Sequence, residues 1–280
     1  MSSIRDIKKR IENVSSTAQL IKAMDTIAST SLHKARQQME GVRPIYNELK
    51  RQVEELGERK EALTHPYYEK RPIKNTLYIV LTSDRGYVGS YNTSLLQVAM
   101  EHMEQGKSEK ILAVGSKGYN YFKKQGKNIV RKVTDISDSH VYYGSESLSL
   151  WAKDLYVSGQ VDEVFIVYSE FVNVLTYKPR VEKFLPIAEN YDENVYESDR
   201  LYEPDVSTVM DHTVPLYLHM NFFRAISESH TCEEAARMVN MDAAGKNAEE
   251  LIKELRLSYN RQRQAAITQE LNEIIGGSKF

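Results

Sequence analysis

The feature that most constrains this chain is a hydrophobic repeat at its N-terminal end. Ile4, Ile7, Ile11, Val14, Ala18, Ile21, Asp25, Ala28, Leu32, Ala35, Met39, Val42, Tyr46, Leu49, Val53 and Leu56 follow one another at spacings of three and four. Asp25 alone interrupts the seam. A 3.5-residue period held this long keeps an apolar stripe facing one neighbour and supercoils the helix left-handed around it. A partner stripe lies at the other end of the chain, where Met241, Ala244, Ala248, Leu251 and Leu255 repeat the spacing. The economical expectation is an antiparallel coiled coil within one chain. Continuing the second register gives Ser258, Gln262, Ala265, Gln269 and Asn272, which cannot drive a packed seam.

The second helix therefore leaves its partner. If pairing begins with Leu56 near Asp211, roughly 20 residues overrun Ile4, a length of ~30 Å at 1.5 Å per residue. That overhang interleaves Arg261, Arg263, Gln264, Thr268, Gln269, Glu270 and Glu273 with Ala265, Ala266, Ile267, Leu271, Ile274 and Ile275. Exposed apolar residues on a protruding helix call for a surrounding partner. The alternative is a helix that folds back onto its own domain.

Between the helices the pattern changes to short β-rich runs separated by helical ones. The first helix is expected to run to about residue 60, kinked rather than stopped at Gly41 and Pro44. Thr64 to Pro72 reads as a linker. Strands are expected at Leu77 to Thr82, Ile111 to Val114, Ile129 to Val133, Val164 to Tyr168 and Arg180 to Leu185, the last at an edge. Helices at Asn92 to Gln105, Lys117 to Gln125 and Ser145 to Tyr156 fit the crossovers of a parallel sheet. The fold class is thus α/β, a Rossmann-like, mostly parallel domain inserted between two long helices. Its expected bounds are 1–62 for the first helix, 63–208 for the α/β domain and 209–280 for the C-terminal helix with its tip.

Composition narrows the function classes. Thirty-seven basic residues against 39 acidic give a net charge of -2, so no global pull towards nucleic acid or anionic lipid arises. No apolar run is long enough to span a bilayer, and Met1-Ser-Ser-Ile-Arg-Asp leads into the repeat without a signal peptide's apolar core. The single cysteine, Cys232, excludes an intrachain disulfide and a cysteine-clustered metal site.

The loop Thr82-Ser-Asp-Arg-Gly-Tyr-Val-Gly-Ser-Tyr-Asn92 follows a strand and precedes a helix, where phosphate-binding loops sit. It has neither the Lys-Ser/Thr ending of a P-loop nor a three-glycine fingerprint, so a capping turn, with Asp84 and Arg85 as a local pair, is the expectation. The seven histidines form no metal-binding helix pattern, and Asp211-His212 meets no Gly-x-Ser-x-Gly elbow. No catalytic residue, cofactor or metal is expected.

Several segments carry a resemblance. Glu234-Ala-Ala-Arg-Met238, Met241-Asp242, Asn247-Ala248, Tyr259-Asn-Arg-Gln-Arg-Gln-Ala-Ala-Ile-Thr-Gln-Glu-Leu271 and Glu273-Ile-Ile-Gly-Gly277 resemble the gamma subunit of F-type ATP synthases. So do Ile7-Lys-Lys-Arg-Ile11, Lys22-Ala-Met24, Ser83-Asp-Arg-Gly86 and Tyr202-Glu-Pro-Asp205, in the family's order across the whole chain.

The resemblance implies a central-stalk rotor whose coiled coil sits in a ring of three alpha and three beta subunits. Its α/β foot would rest on the c ring, with the epsilon subunit a further partner and no nucleic acid or direct membrane insertion. Catalysis would belong to beta. It implies beta contacts at Arg263, Gln264, Thr268 and Glu273, a lower contact at Met24 and Arg237, and a c-ring-facing surface at Tyr202 and Glu203. It also implies a peripheral place on the cytoplasmic face of a bacterial membrane. Whether protons or sodium ions drive such a complex is decided by other subunits.

Ser31 stands where the family commonly has a basic residue, Val88-Gly-Ser90 replaces a common Cys-Gly-Gly or Ala-Gly-Gly, and Cys232 replaces a serine. The paired-cysteine switch of the chloroplast type is absent from the sequence. Two other functions stay open on the residues alone. One is a gamma-like adaptor that has lost rotary coupling, and the other a nucleotide-binding α/β enzyme using the Arg85-Gly86 loop.

Overall fold

The computed structural model describes residues 4–103, 108–135, 141–188 and 201–277. Helix α1 spans Ile4–Gly57 and helix α5 spans Val206–Gly277. Between them lie β1 (Asn75–Leu81), α2 (Tyr91–Met103), β2 (Ser108–Val114), α3 (Ser116–Lys124), β3 (Ile129–Val133), α4 (Val141–Val157), β4 (Glu163–Asn173) and β5 (Thr176–Leu185). The predicted strands and crossover helices are all present, most of them longer than expected. Gln105 and His140 lie outside the described residues. Pro44 falls inside α1 and does not end it. Its missing N–H removes one bond from a helix that packing on both sides of the proline holds in place, with Val42 and Tyr46 both buried.

The chain divides into two compact units, one of residues 1–30 with 237–280 and the other of residues 31–236. In the larger unit the sheet order is β3-β2-β1-β4-β5, with β1 parallel to β2 and β4, β2 parallel to β3, and β5 antiparallel at the edge. Strand β1 is buried along six of its seven residues, as a central parallel strand covered on both faces must be. Leu77, Ile79 and Leu81 point to one face, with Leu112, Val164 and Ile166, under α4 (Leu148, Ala152, Tyr156) and the helix segments carrying Val53, Leu56, Val214, Leu218 and Phe222. Tyr78 and Val80 point to the other, where α2 (Leu95, Leu96, Ala99, Met103) and Phe122 of α3 cover them. Each such buried aliphatic or aromatic side chain contributes about 1.5–3 kcal/mol over leaving it in water.

The segment read as a linker is a packed element instead. Lys60–Thr64 forms a 3-10 turn, and His65, Tyr67 and Tyr68 are buried behind it. Tyr68 Oη donates to the Val53 carbonyl at 2.9 Å and Ile187 N donates to the Tyr67 carbonyl at 2.9 Å. The two prolines signalled a break in secondary structure, but three aromatic rings in four residues supplied enough apolar surface to bury it.

In the smaller unit the two seams meet as expected. A Cβ placed on Gly245 would lie 3.8 Å from Ile21 Cγ2, which sets an antiparallel register whose paired numbers sum to 266. Ala18 then lies level with Ala248, Ile11 with Leu255 and Ile4 with Gln262. Ile7, Ala28, Met241 and Ala248 are buried along it. From Arg263 to Ile275 every residue is exposed except the half-buried Ala266.

Candidate functional site

Three places could carry function: the crevice at the carboxyl ends of the strands, a buried ionic cluster under α5, and the bare end of α5. The crevice is where open α/β sheets bind ligands. Here its anion position is already filled. At the start of α3, Ser116 N donates to Asp84 Oδ1 at 2.7 Å, Lys117 N to the Ser83 carbonyl at 3.1 Å and Gly118 N to Thr82 Oγ1 at 2.9 Å. Those are the first three N–H groups of the helix, the ones a bound phosphate would take. Asp84 Oδ2 also accepts from Asp135 N at 2.9 Å, so this carboxylate serves two backbone donors rather than pairing with Arg85 as expected. Arg85 is exposed. Ser83 N donates to Asn92 Oδ1 at 3.0 Å and Asn92 Nδ2 to Ser83 Oγ at 2.7 Å, which locks the loop to α2 as well. The loop is the capping turn its sequence predicted.

The ionic cluster was not foreseen. Helix α5 is buried at every position from Asn221 to Ser229, and that stretch contains Arg224 and Glu228. Arg224, its side chain only 7% exposed, donates Nη1 to Tyr168 Oη, Nη2 to Glu182 Oε2 and Nη2 to Asn221 Oδ1, each at 2.8 Å. Its guanidinium lies over the rings of Tyr46 (4.3 Å) and Tyr168 (4.7 Å). Glu182 also accepts from Tyr46 Oη at 3.3 Å and Tyr168 Oη at 3.0 Å. One turn along α5, Glu228 accepts from Arg43 Nε and from Phe171 N, both at 3.2 Å.

Burial favours the neutral form of Arg224, but Glu182 and the two tyrosines outweigh it and hold the guanidinium charged well above its usual range. Burial pushes the Tyr46 and Tyr168 hydroxyls upward and takes Tyr217 to about 12. Removing one member of such a buried pair costs about 3–5 kcal/mol, because the other is left charged and unpaired. The available signal was a pair of charged residues one turn apart, with Phe222, Phe223, Ala225 and Ile226 beside them.

The residues singled out for partner contact fall into three groups. Arg263, Gln264, Thr268 and Glu273 are all exposed on the bare end of α5, where Thr268 Oγ1 donates to the Gln264 carbonyl at 2.9 Å. Gln264 and Thr268 share a face, whereas Glu273 lies about 180° around the helix from Gln264 at 100° per residue. Met24 is half-buried on α1 and Arg237 is buried on α5. The register puts Met24 level with residue 242, so Arg237 sits about 7 Å along the axis from it. Tyr202 is half-buried with the Arg59 guanidinium 5.2 Å above its ring, and Glu203 beside it is exposed. The bare end of α5 also exposes Ile267, Leu271, Ile274 and Ile275. Among the described residues no helix is long and apolar enough to cross a membrane, and no group of three or more His, Cys, Asp or Glu is placed to hold a metal ion.

The larger unit is an α/β domain whose crevice loop is self-capped, and the last turns of α5 show apolar residues to solvent. Comparison with known proteins makes the class specific. Residues 3–279 match the ATP synthase family. The ATP synthase gamma chain of Alkaliphilus metalliredigens is 36% identical over 282 residues, spanning 99% of this chain and 98% of that one. The gamma chain of Desulforamulus reducens is 36% identical over 279 residues, spanning 99% of both. The chain belongs to the ATP synthase gamma chain family. It shares its fold with a chain of the Euglena gracilis mitochondrial ATP synthase in the structure of its OSCP, F1 and c ring, at a TM-score of 0.68 and 21% identity over 99% of this chain and 93% of that one. A second structure, of the rotor of the same enzyme, gives a TM-score of 0.67 at 20% identity over 94% of this chain and 98% of that one.

Proposed function

We propose that this chain is the central shaft of an F-type ATP synthase, carrying torque between a membrane c ring and a catalytic head of alpha and beta subunits. As a gamma chain it is a non-catalytic subunit, and ATP is made or hydrolysed on beta. The observation that carries the reading is the bare end of α5, exposed on all sides, with Ile267, Leu271, Ile274 and Ile275 forming an apolar stripe on one face and charged and polar residues around the rest. A surrounding ring of subunits would cover both the stripe and the polar faces beside it.

In this reading residues 1–62 and 209–280 form the shaft and 63–208 the foot. Arg263, Gln264, Thr268 and Glu273 meet successive beta subunits, and the guanidinium of Arg263 suits a carboxylate by its planar fork. Met24 and Arg237 serve the lower contact between shaft and head. Tyr202 and Glu203 face the c ring, with the epsilon subunit alongside, so the protein is peripheral on the cytoplasmic face of a bacterial membrane. One asymmetric shaft touches three identical catalytic subunits differently and biases each towards a different conformation.

The test is to assemble the chain with its alpha and beta partners and follow a bead attached to the α/β domain while ATP is supplied. Stepwise rotation in one direction is the expected result. A tight complex that hydrolyses ATP while the bead stays still would refute it and leave an adaptor.

A further inference from the structure

A shaft is useful only if its turning force reaches the domain at its base, and apolar packing alone is poorly suited to that. Hydrophobic contact is non-directional, so a helix can roll against it with little change in buried area. Hydrogen bonds to charged groups depend on angle and resist rolling.

The directional bonds between α5 and the sheet run from Asn221 to Cys232, with Ser229 Oγ accepting from Ser169 N at 3.2 Å and Cys232 Sγ donating to the Ser169 carbonyl at 3.4 Å, and the charged ones centre on Arg224 and Glu228. Arg224 donates to Tyr168 of β4 and Glu182 of β5, and its guanidinium carbon lies over the rings of Tyr46 and Tyr168. Tyr46 belongs to α1, so the same guanidinium touches both long helices and both strands of the β4-β5 hairpin. Glu228, one turn on, repeats the arrangement: it takes Phe171 N of β4 and Arg43 of α1, while Arg43 Nη2 donates to the Phe171 carbonyl at 3.0 Å. Rolling α5 in either direction pulls the Arg224 fork off one strand and shifts the guanidinium from its place over the two rings. Extended β4 and β5 pair over most of their length, so a load placed on them passes into the sheet.

We propose that Arg224, backed by Glu228, is the pin that keys α5 and α1 to the β4-β5 hairpin and so passes torque from the shaft to the α/β domain. The proposal rests on the shaft reading given above. Arg224 is a positioning residue in this role and touches no nucleotide.

The experiment uses the assembled complex with its head fixed and a bead on the α/β domain, and reads the angular width of the bead's fluctuation while the shaft is paused. Arg224→Met keeps a long side chain in the space while removing the fork. Tyr78→Phe, which gives up the 2.9 Å bond to His102 on the opposite face of the sheet, is the control for a general loss of stability. In Arg224→Met the angular variance is expected to rise about twofold or more, with Arg224→Lys between it and the parent, because an ammonium keeps charge but loses the planar fork that reaches Tyr168 and Glu182 together. A variance in Arg224→Met no larger than in Tyr78→Phe overturns the proposal.

If Arg224→Met fails to assemble, Glu182→Gln retains volume and one acceptor. It is expected to widen the distribution less than the Arg224 change would, and a width equal to the control's again overturns the proposal. Rotation of the parent complex is read in the same apparatus. Its absence refutes the shaft reading, whereas the comparison of widths with the head fixed still decides the role of Arg224.

Discussion

Gly115 lies between β2 and α3 with φ of +93°, and a methyl group at its Cβ would stand 2.1 Å from the Thr82 carbonyl oxygen and 2.7 Å from Thr82 Oγ1. Gly115→Ala therefore incurs two separate costs. With ψ of 142° the backbone lies in a region almost reserved for glycine, which costs an alanine about 1–3 kcal/mol. The clash must be relieved by moving the end of β1, which strains Thr82 N to the Val114 carbonyl (2.8 Å), Gly115 N to the Val133 carbonyl (2.8 Å) and Gly118 N to Thr82 Oγ1 (2.9 Å). Losing two of these at about 1 kcal/mol each brings the total to about 3–5 kcal/mol, a large part of a typical domain's stability.

Gly126→Ala carries a positive-φ cost without a clash, since φ there is +68° and no heavy atom lies within 4 Å of the added carbon. It should lose only about 1–2 kcal/mol. Urea unfolding followed by the fluorescence of Trp151, the single tryptophan and a residue of α4, reads the larger unit directly. If the two alanines cost the same, the capping of α3 by the Thr82 loop is not as tight as the geometry requires and the reasoning fails.

Burial lowers the His65 pKa while Asp211, at 3.4 Å, pulls it back up, and the net direction is down. A base whose folded pKa is depressed stabilises the fold above its unfolded value near 6.5 and ceases to as pH falls through the folded value. Urea midpoints should therefore drop as pH is lowered below about 6.5, and His65→Gln should flatten that drop; an unchanged slope would remove His65 as its cause. Ending the chain after Gln262 should leave the melting temperature of the isolated protein unchanged, because the removed turns pack on nothing described, while ATP-driven rotation of the assembled complex is lost. A fall in melting temperature would mean that the end of α5 folds back after all. Arg263→Ala together with Gln264→Ala should likewise spare the melting temperature and slow bead rotation, and unaltered rotation would show that the bearing lies elsewhere.

The long helices and their register were legible because a three-and-four repeat is visible in a single sequence and admits one geometry. Leu56 was expected near Asp211, numbers summing to 267, and the Ile21-Gly245 approach gives 266. Strands β1 to β4 were legible as β-branched runs, and β3 kept its expected ends, but those of β1, β2 and β4 were not all legible. Asn75 and Thr76 extend β1, and Thr76 pairs its hydroxyl with Glu163 at 2.9 Å, a contact between residues 87 apart that no local pattern announces. The Arg224 cluster stayed hidden for the same reason: its members come from α1, β4, β5 and α5, and only the folded chain brings them together. Arg263, Gln264, Thr268 and Glu273 were singled out by resemblance, and the physical signal beside it was the failure of the apolar seam after Leu255.

The seam of the smaller unit is built from slender residues as well as apolar ones. Ala18, Ala28, Gly245 and Ala248 stand at or beside the line of contact, and Ala28 and Ala248 are buried there. Small side chains let two helices approach to the short end of the usual 8–10 Å spacing between axes. With each helix about 10–12 Å across, the pair needs a bore only some 20 Å wide at its broadest, and past Gln262 half of that. Replacing Gly245 or Ala248 by leucine would thicken the pair while leaving its apolar character intact, so caliber is a property of this chain that hydrophobicity alone does not record.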